Sequence, residues 1–139
     1  MRAMVLDRAK GSLVVKDIQK PSPTLNQVLV KVEACGVCRT DMHLLDGDLP
    51  NIPYPIIPGH QIVGRVEACG SLVKTFKKGD RVGIPWLGKT CGNCIFCKKN
   101  LENLCDKAEY TGYTLNGGFA EYATVDCQYC FPLSSHFDP

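Results

Sequence analysis

Cys91-Gly-Asn-Cys-Ile-Phe-Cys-Lys-Lys-Asn-Leu-Glu-Asn-Leu-Cys105 sets four cysteines, Cys91, Cys94, Cys97 and Cys105, in the pattern C-x2-C-x2-C-x7-C. Four thiolates this close can complete the tetrahedral shell of one zinc ion unaided. A closed four-sulfur shell leaves no position for a substrate, so this site reads as a structural staple. An iron–sulfur cluster fits the spacing less well, because the fourth cysteine is not at the ferredoxin-like offset followed by proline. Any chemistry has to sit elsewhere in the chain.

Around that segment the chain reads as one mainly β domain of 139 residues, long enough for a sizeable core. Thirteen glycines and nine prolines imply many turns. Residues 2–6, 13–18, 27–34, 61–69, 80–84, 119–125 and 128–132 are expected strands. The clearest is 27–34: Val28, Val30, Val32 and Ala34 point one way, and Gln27, Lys31 and Glu33 the other. Leu29 is the apolar exception. Residues 37–45 are an expected short helix, and 47–59, with four prolines, a loop. Pro21-Ser-Pro-Thr and Lys78-Gly-Asp are turns. Residues 88–118 read as an irregular lobe, which a compact domain tolerates only if something ties it down. Zinc supplies the tie.

Composition excludes several classes. The net charge is +2 and no basic run reaches five residues, which argues against nucleic acid or an anionic membrane as partner. No apolar stretch approaches a membrane span, and the apolar stretch at the N-terminus is too short for a signal peptide. A cytoplasmic location is the expectation. Nine cysteines with clustered C-x2-C spacings and no secretion signal favour reduced thiols and metal over disulfides. The last residues, 134–139, read as the approach to a further element, as if the chain were cut there.

A second, open constellation lies upstream. Cys38 follows a strand and begins the expected helix, where the positive helix end favours a thiolate. Asp41 is one turn on and shares its face. His60 follows a Pro-Gly turn that presents its ring from a loop. Cys38 and His60 are candidate ligands of a catalytic zinc, which keeps an open position for water or substrate. Asp41 is the candidate acceptor for the histidine's other ring N–H. Thr40 and His43, at i and i+3, can line one edge of a cleft. Cys35 and Cys38 also form a C-x2-C, but the βαβ setting of a redox pair is missing. Cys127 and Cys130, at strand spacing, are expected to point to opposite faces.

Cys35-Gly-Val-Cys-Arg-Thr-Asp41, Gly47-Asp48, Pro58-Gly-His-Gln-Ile-Val-Gly64, Lys78-Gly-Asp-Arg-Val-Gly83, Gly83-Ile-Pro-Trp-Leu87, the four-cysteine lobe and Gly117-Gly-Phe-Ala-Glu-Tyr122 occur in this order. Together they resemble the N-terminal part of the medium-chain zinc-dependent alcohol dehydrogenases, on the bacterial and yeast-like side of that family. The resemblance implies a GroES-like β-barrel over residues 1–139 and catalytic zinc on Cys38 and His60. It implies that Thr40 takes the alcohol proton, that His43 passes it on, and that Arg39 approaches the cofactor. Trp86 and Leu49 would line the substrate pocket. The implied reaction is reversible oxidation of an alcohol to an aldehyde or ketone with hydride transfer to NAD or NADP, in a homo-oligomer when the enzyme is complete. Gln61 departs from the family, which has glutamate there. The third catalytic ligand and the Rossmann domain are expected to lie outside this chain, which has no Gly-x-Gly fingerprint. The alternative reading is a non-enzymatic zinc-binding module.

Overall fold

The computed structural model describes residues 1–134 and 136. Among the described residues are three short 3-10 turns, and nine strands and one α-helix in the order β1 (Arg2–Leu6), β2 (Leu13–Asp17), β3 (Gln27–Cys35), α1 (Arg39–Asp46), β4 (Ile62–Cys69), β5 (Arg81–Ile84), β6 (Leu87–Lys89), β7 (Glu109–Tyr110), β8 (Tyr122–Asp126) and β9 (Phe131–Pro132). The 3-10 turns are Cys97–Lys99, Glu102–Leu104 and Cys127–Tyr129. The expected mainly β class holds.

The central sheet has the order β8-β3-β4-β5-β9, with every neighbour antiparallel. Val28 and Val30 on β3, Ile62 and Val66 on β4, Val82 and Ile84 on β5, and Ala123 and Val125 on β8 supply the main core from alternate positions. Leu29 is buried as well, at 4% exposure. Both faces of β3 are therefore covered at that level, beside a register shift between Leu29 and Val30 against β4. That is why the apolar residue on the polar side of the alternation is there.

β1 and β2 form a separate ribbon. Met4 N–H to Phe119 C=O and Glu121 N–H to Arg2 C=O stitch its inner edge to the segment before β8. Leu6 and Ile56 exchange backbone hydrogen bonds and, with Leu44, form a small fully covered cluster. Leu44 thereby docks α1. The helix ends at Gly47, whose φ of 74° is the left-handed cap that returns the last carbonyls to N–H donors.

Three local expectations change. The turn before β3 closes at Thr24–Gln27, not within residues 21–24. The lobe is less irregular than its composition suggests, because β6 and β7 pair across twenty residues and close its neck. Residues 127–129 are a 3-10 turn rather than strand. Cys130 is consequently buried in the main core, and Cys127 packs against the same cluster with Cys69. The expectation for residues 134–139 lies mostly outside the described residues. Among the described residues no helix is long and apolar enough to cross a membrane.

Candidate metal centres

Among the described residues, two groups of side chains could hold a metal ion: Cys91, Cys94, Cys97 and Cys105, and Cys38, Asp41 and His60.

In the first group the sulfurs of Cys91 and Cys97 are 3.9 Å apart, those of Cys94 and Cys97 3.5 Å, and those of Cys105 and Cys91 3.6 Å. The edge of a tetrahedron built on zinc–sulfur bonds of 2.3 Å is about 3.8 Å, so the four thiols fit zinc closely. Backbone N–H groups of Asn93 and Cys94 draw the Cys91 thiol down to about 6. The backbone N–H of Cys97 acts downward on Cys94, but burial and the sulfurs of Cys97 and Cys91 carry that thiol up to about 11. Cys97 is lowered, first by the Thr90 hydroxyl. The turns that carry the cysteines aim N–H groups at sulfur, as a thiolate cage requires.

In the second group Cys38 is the N-cap of α1. Its sulfur accepts from Thr40 N–H at 3.3 Å, and the Asp41 carboxylate accepts from Cys38 N–H at 2.9 Å, a capping box with sulfur in the place of hydroxyl. The helix start therefore fixes both side chains. Asp41 Oδ1 also accepts from Gly59 N–H at 3.2 Å and lies 3.5 Å from His60 Nδ1. His60 Nε2 is 3.0 Å from Cys38 Sγ. Asp41 and His60 are buried, at 2% and 5% exposure. His60 Nδ1 is buried with no hydrogen-bond partner among the described residues. With Asp41 facing Nδ1, a proton there leaves the Nε2 lone pair directed at Cys38, the tautomer that a metal ligand needs. The Nε2–Sγ separation is shorter than the about 3.6 Å edge of a tetrahedral zinc site, so an ion between them would spread the pair. The donor set fits zinc.

The loop that presents His60 is pinned from behind. Gly117 N–H bonds Ile57 C=O, Gly118 N–H bonds Gly59 C=O, and Phe119 N–H bonds Pro58 C=O. Gly59 has φ 94°, and a Cβ there would lie 2.6 Å from the Phe119 ring and 2.8 Å from Cys35 Sγ. Cys35 thus fills the space behind the loop. Burial pushes its thiol up, the reverse of what a reactive member of a redox pair requires.

Trp86 meets His60 edge to face, with ring centroids 4.9 Å apart. It also stacks on Tyr110 at 5.0 Å and on Tyr113 at 5.8 Å. These rings build an aromatic wall beside His60. Leu49 and Tyr113 both pack against the Leu6–Leu44–Ile56 cluster. Thr40 is half-buried and Arg39 exposed in the first turn of α1. His43 Nδ1 is 2.9 Å from Asp48 Oδ2, on the solvent side. Gln61 is exposed and lies over Gly36, where an added Cβ would meet its amide oxygen.

Sequence reasoning gave no site role to Tyr110, Tyr113 or Asp48. Tyr110 ends β7 and Tyr113 lies in the turn after it; Thr111 N–H to Trp86 C=O ties that segment to β6 across the lobe, and Gly112 N–H to Leu115 C=O closes the turn. Asp48, five residues beyond His43 and just past the helix-capping glycine, was a readable signal for a helix-end ion pair.

Residues 24–135 match the family model described as the alcohol dehydrogenase GroES-like domain. An alcohol dehydrogenase of Geobacillus stearothermophilus is 45% identical over 130 residues, covering 93% of this chain and 39% of that protein. The cobalt- and zinc-bound thermostable alcohol dehydrogenase of Pyrobaculum aerophilum superposes with a TM-score of 0.89 at 28% identity, over 97% of this chain and 41% of that one. An Escherichia coli CFT073 alcohol dehydrogenase complexed with cofactor NADH superposes with a TM-score of 0.85 at 29% identity, over 97% of this chain and 39% of that one. The chain spans about 39% of the length of the Geobacillus relative. With most of its length matched by that family model, this chain belongs to the alcohol dehydrogenase GroES-like domain family.

Proposed function

We propose that residues 1–139 are the metal-holding catalytic domain of a zinc-dependent alcohol dehydrogenase, which oxidises an alcohol to an aldehyde or ketone reversibly with NAD or NADP as hydride acceptor. The observation that carries this reading is the trio Cys38, Asp41 and His60. It offers a soft thiolate and an oriented imidazole beside an aromatic wall. A shell of two such ligands is open, unlike the closed cage of Cys91, Cys94, Cys97 and Cys105.

Cys38 and His60 would hold the zinc, which would supply Lewis acidity toward the alcohol oxygen. Thr40 Oγ1, at the second residue of α1, accepts the alcohol proton as its own hydroxyl proton is passed on, and His43 Nε2 delivers that proton to solvent. Asp48 holds the opposite ring nitrogen of His43 at 2.9 Å, which leaves Nε2 free for that work. Trp86 and Tyr113 flank the substrate and exclude water, and Leu49 supports them. Arg39, exposed at the helix start, faces the cofactor. The third metal ligand and the cofactor domain come from sequence outside these residues, in keeping with the 39% share of the Geobacillus relative. The complete enzyme is a homo-oligomer acting on small-molecule alcohols or aldehydes.

The test is to join these residues to their continuation and follow alcohol-dependent reduction of NAD or NADP over a panel of alcohols. Activity that disappears in Cys38→Ser and His60→Ala, with the protein still folded, supports the assignment. A folded, zinc-loaded complete protein inert toward the whole panel overturns it in favour of a zinc-binding module without enzymatic activity.

A further inference from the structure

Thr90 stands between the end of β6 and Cys91, where the four-cysteine segment begins. Its hydroxyl oxygen is 2.6 Å from the phenol oxygen of Tyr129 and 3.5 Å from Cys97 Sγ. Tyr129 belongs to the main core and is 9% exposed, and Cys97 is 8% exposed. Among the described residues, Cys97 is the only one of the four sulfurs with a side-chain hydroxyl in hydrogen-bonding range. Its partners Cys91 and Cys94 are served by backbone N–H groups.

Proton counting sets the direction of the chain when a metal is bound. A metal-bound cysteine is a thiolate and has no proton to give. Thr90 has one hydroxyl proton and Tyr129 has one. Both contacts are satisfied together only if Tyr129 donates to Thr90 Oγ1 and Thr90 donates to Cys97 Sγ. Without metal, the Cys97 S–H can instead donate to Thr90, and the chain reverses.

The geometry points to a two-hydroxyl chain, Tyr129 to Thr90 to Cys97, that retains metal in the four-cysteine site and ties its occupancy to the packing of the central sheet. This rests on the reading that those four cysteines bind zinc. A hydrogen bond to a ligating sulfur withdraws charge from it and makes it a poorer target for protons and electrophiles, the two routes by which a thiolate leaves zinc. Thr90 suits the position because its β-branch limits χ1 and keeps the hydroxyl between its two partners. Tyr129 fixes the far end, because its phenol is held on the 3-10 turn that joins β8 to β9. The two are positioning residues with no part in hydride chemistry.

The experiment measures the rate at which the zinc-loaded 139-residue chain gives up metal to a chelator in excess, for wild type, Thr90→Val, Thr90→Ser and Tyr129→Phe. Cobalt in the same site reports the sulfur environment through its thiolate charge-transfer band. Thr90→Val is expected to release metal about tenfold faster and to shift that band. Thr90→Ser, which keeps the hydroxyl, stays near wild type. Tyr129→Phe falls between. Release from Thr90→Val at the wild-type rate overturns the proposal. So does equally fast release from Thr90→Ser, since packing and not the hydroxyl would then be responsible. If Thr90→Val fails to fold, Tyr129→Phe decides, and an unchanged rate there overturns the chain. A wild-type protein that retains no zinc, or a Cys97→Ser variant that retains as much as wild type, refutes the zinc site itself and is distinguishable from all of these.

Discussion

Asp41 Oδ1 lies 3.5 Å from His60 Nδ1 while the same carboxylate accepts the backbone N–H groups of Cys38 and Gly59. One buried side chain therefore joins the helix start, the histidine loop and the imidazole tautomer. Replacing Asp41 by alanine removes the half of the capping box that accepts from Cys38 N–H, worth about 1 kcal/mol. It also leaves buried donors without acceptors, at about 1–3 kcal/mol. A loss of about 3 kcal/mol by denaturant titration is expected. Asp41→Asn keeps one acceptor oxygen and loses less stability, but it weakens metal at Cys38 and His60 at least about tenfold, read by competition with a chelating dye. Unchanged affinity in Asp41→Asn would remove the carboxylate from the site's design.

Gly59, next to His60, makes both a backbone and a steric demand. Its φ of 94° is strained for any side chain, and a Cβ would press on the Phe119 ring and on Cys35 Sγ. Gly59→Ala is expected to cost about 3 kcal/mol in thermal or denaturant unfolding. It should also displace His60, so that cobalt no longer gives a Cys38-dependent spectrum. A variant as stable as wild type would show that the loop can adopt a second path.

The core thiols contribute to stability in a way that alkaline pH should remove. Burial raises Cys69 and Cys127, and pushes Cys130 from 9.0 up to about 12. For a thiol raised on folding, the neutral form is what the fold prefers. The contribution of Cys130 is fully present below 9, the value in the unfolded chain, and is lost as pH rises through 12. Unfolding free energy should fall between those limits with a slope approaching about 1.4 kcal/mol per pH unit. Cys130→Ala should flatten that slope. An equally steep decline in the variant would place the alkaline transition in other groups.

How much of this was legible in the sequence depends on how local each cause was. Cys38, Asp41 and the start of α1 were readable because a capping box spans four residues. β3 was readable because one strand carries its own alternation. β6 and β7 were not, because Leu87 finds its partner Tyr110 across the whole lobe and neither strand exceeds three residues. The same holds for the Trp86–Tyr110–Tyr113 stack and for Thr90 with Tyr129, pairs made by the closed fold and invisible to periodicity. Cys130 was misplaced because its spacing from Cys127 was read with strand geometry where a 3-10 turn intervenes.

Trp86 is the chain's single tryptophan and sits 4.9 Å from His60, so its fluorescence reports on that site. With zinc held in the four-cysteine cage, cobalt added to Cys38 and His60 should quench the emission in a saturable step. His60→Ala and Cys38→Ser should abolish the step. A quench that persists in both variants would mean that the metal binds elsewhere near the ring.

The lobe gives the last prediction, because its order depends on so little besides sulfur. Between Cys91 and Cys105 the regular structure is two 3-10 turns of three residues each, and Ile95, Leu101 and Leu104 are exposed. Little apolar surface is buried there, so the entropy of ordering the segment must be met mainly by the metal. Three thiolates hold structural zinc poorly, so Cys97→Ala should lose the ion. Residues 88–110 should then become protease-sensitive, while the central sheet, with its core on β3, β4, β5 and β8, keeps its far-UV signal. Chelation of the wild-type chain should reproduce the pattern, and adding zinc back should reverse it only where all four sulfurs are present. Limited proteolysis with mass mapping reads both arms. A lobe equally resistant in Cys97→Ala and wild type would mean that the β6–β7 pairing holds it without metal.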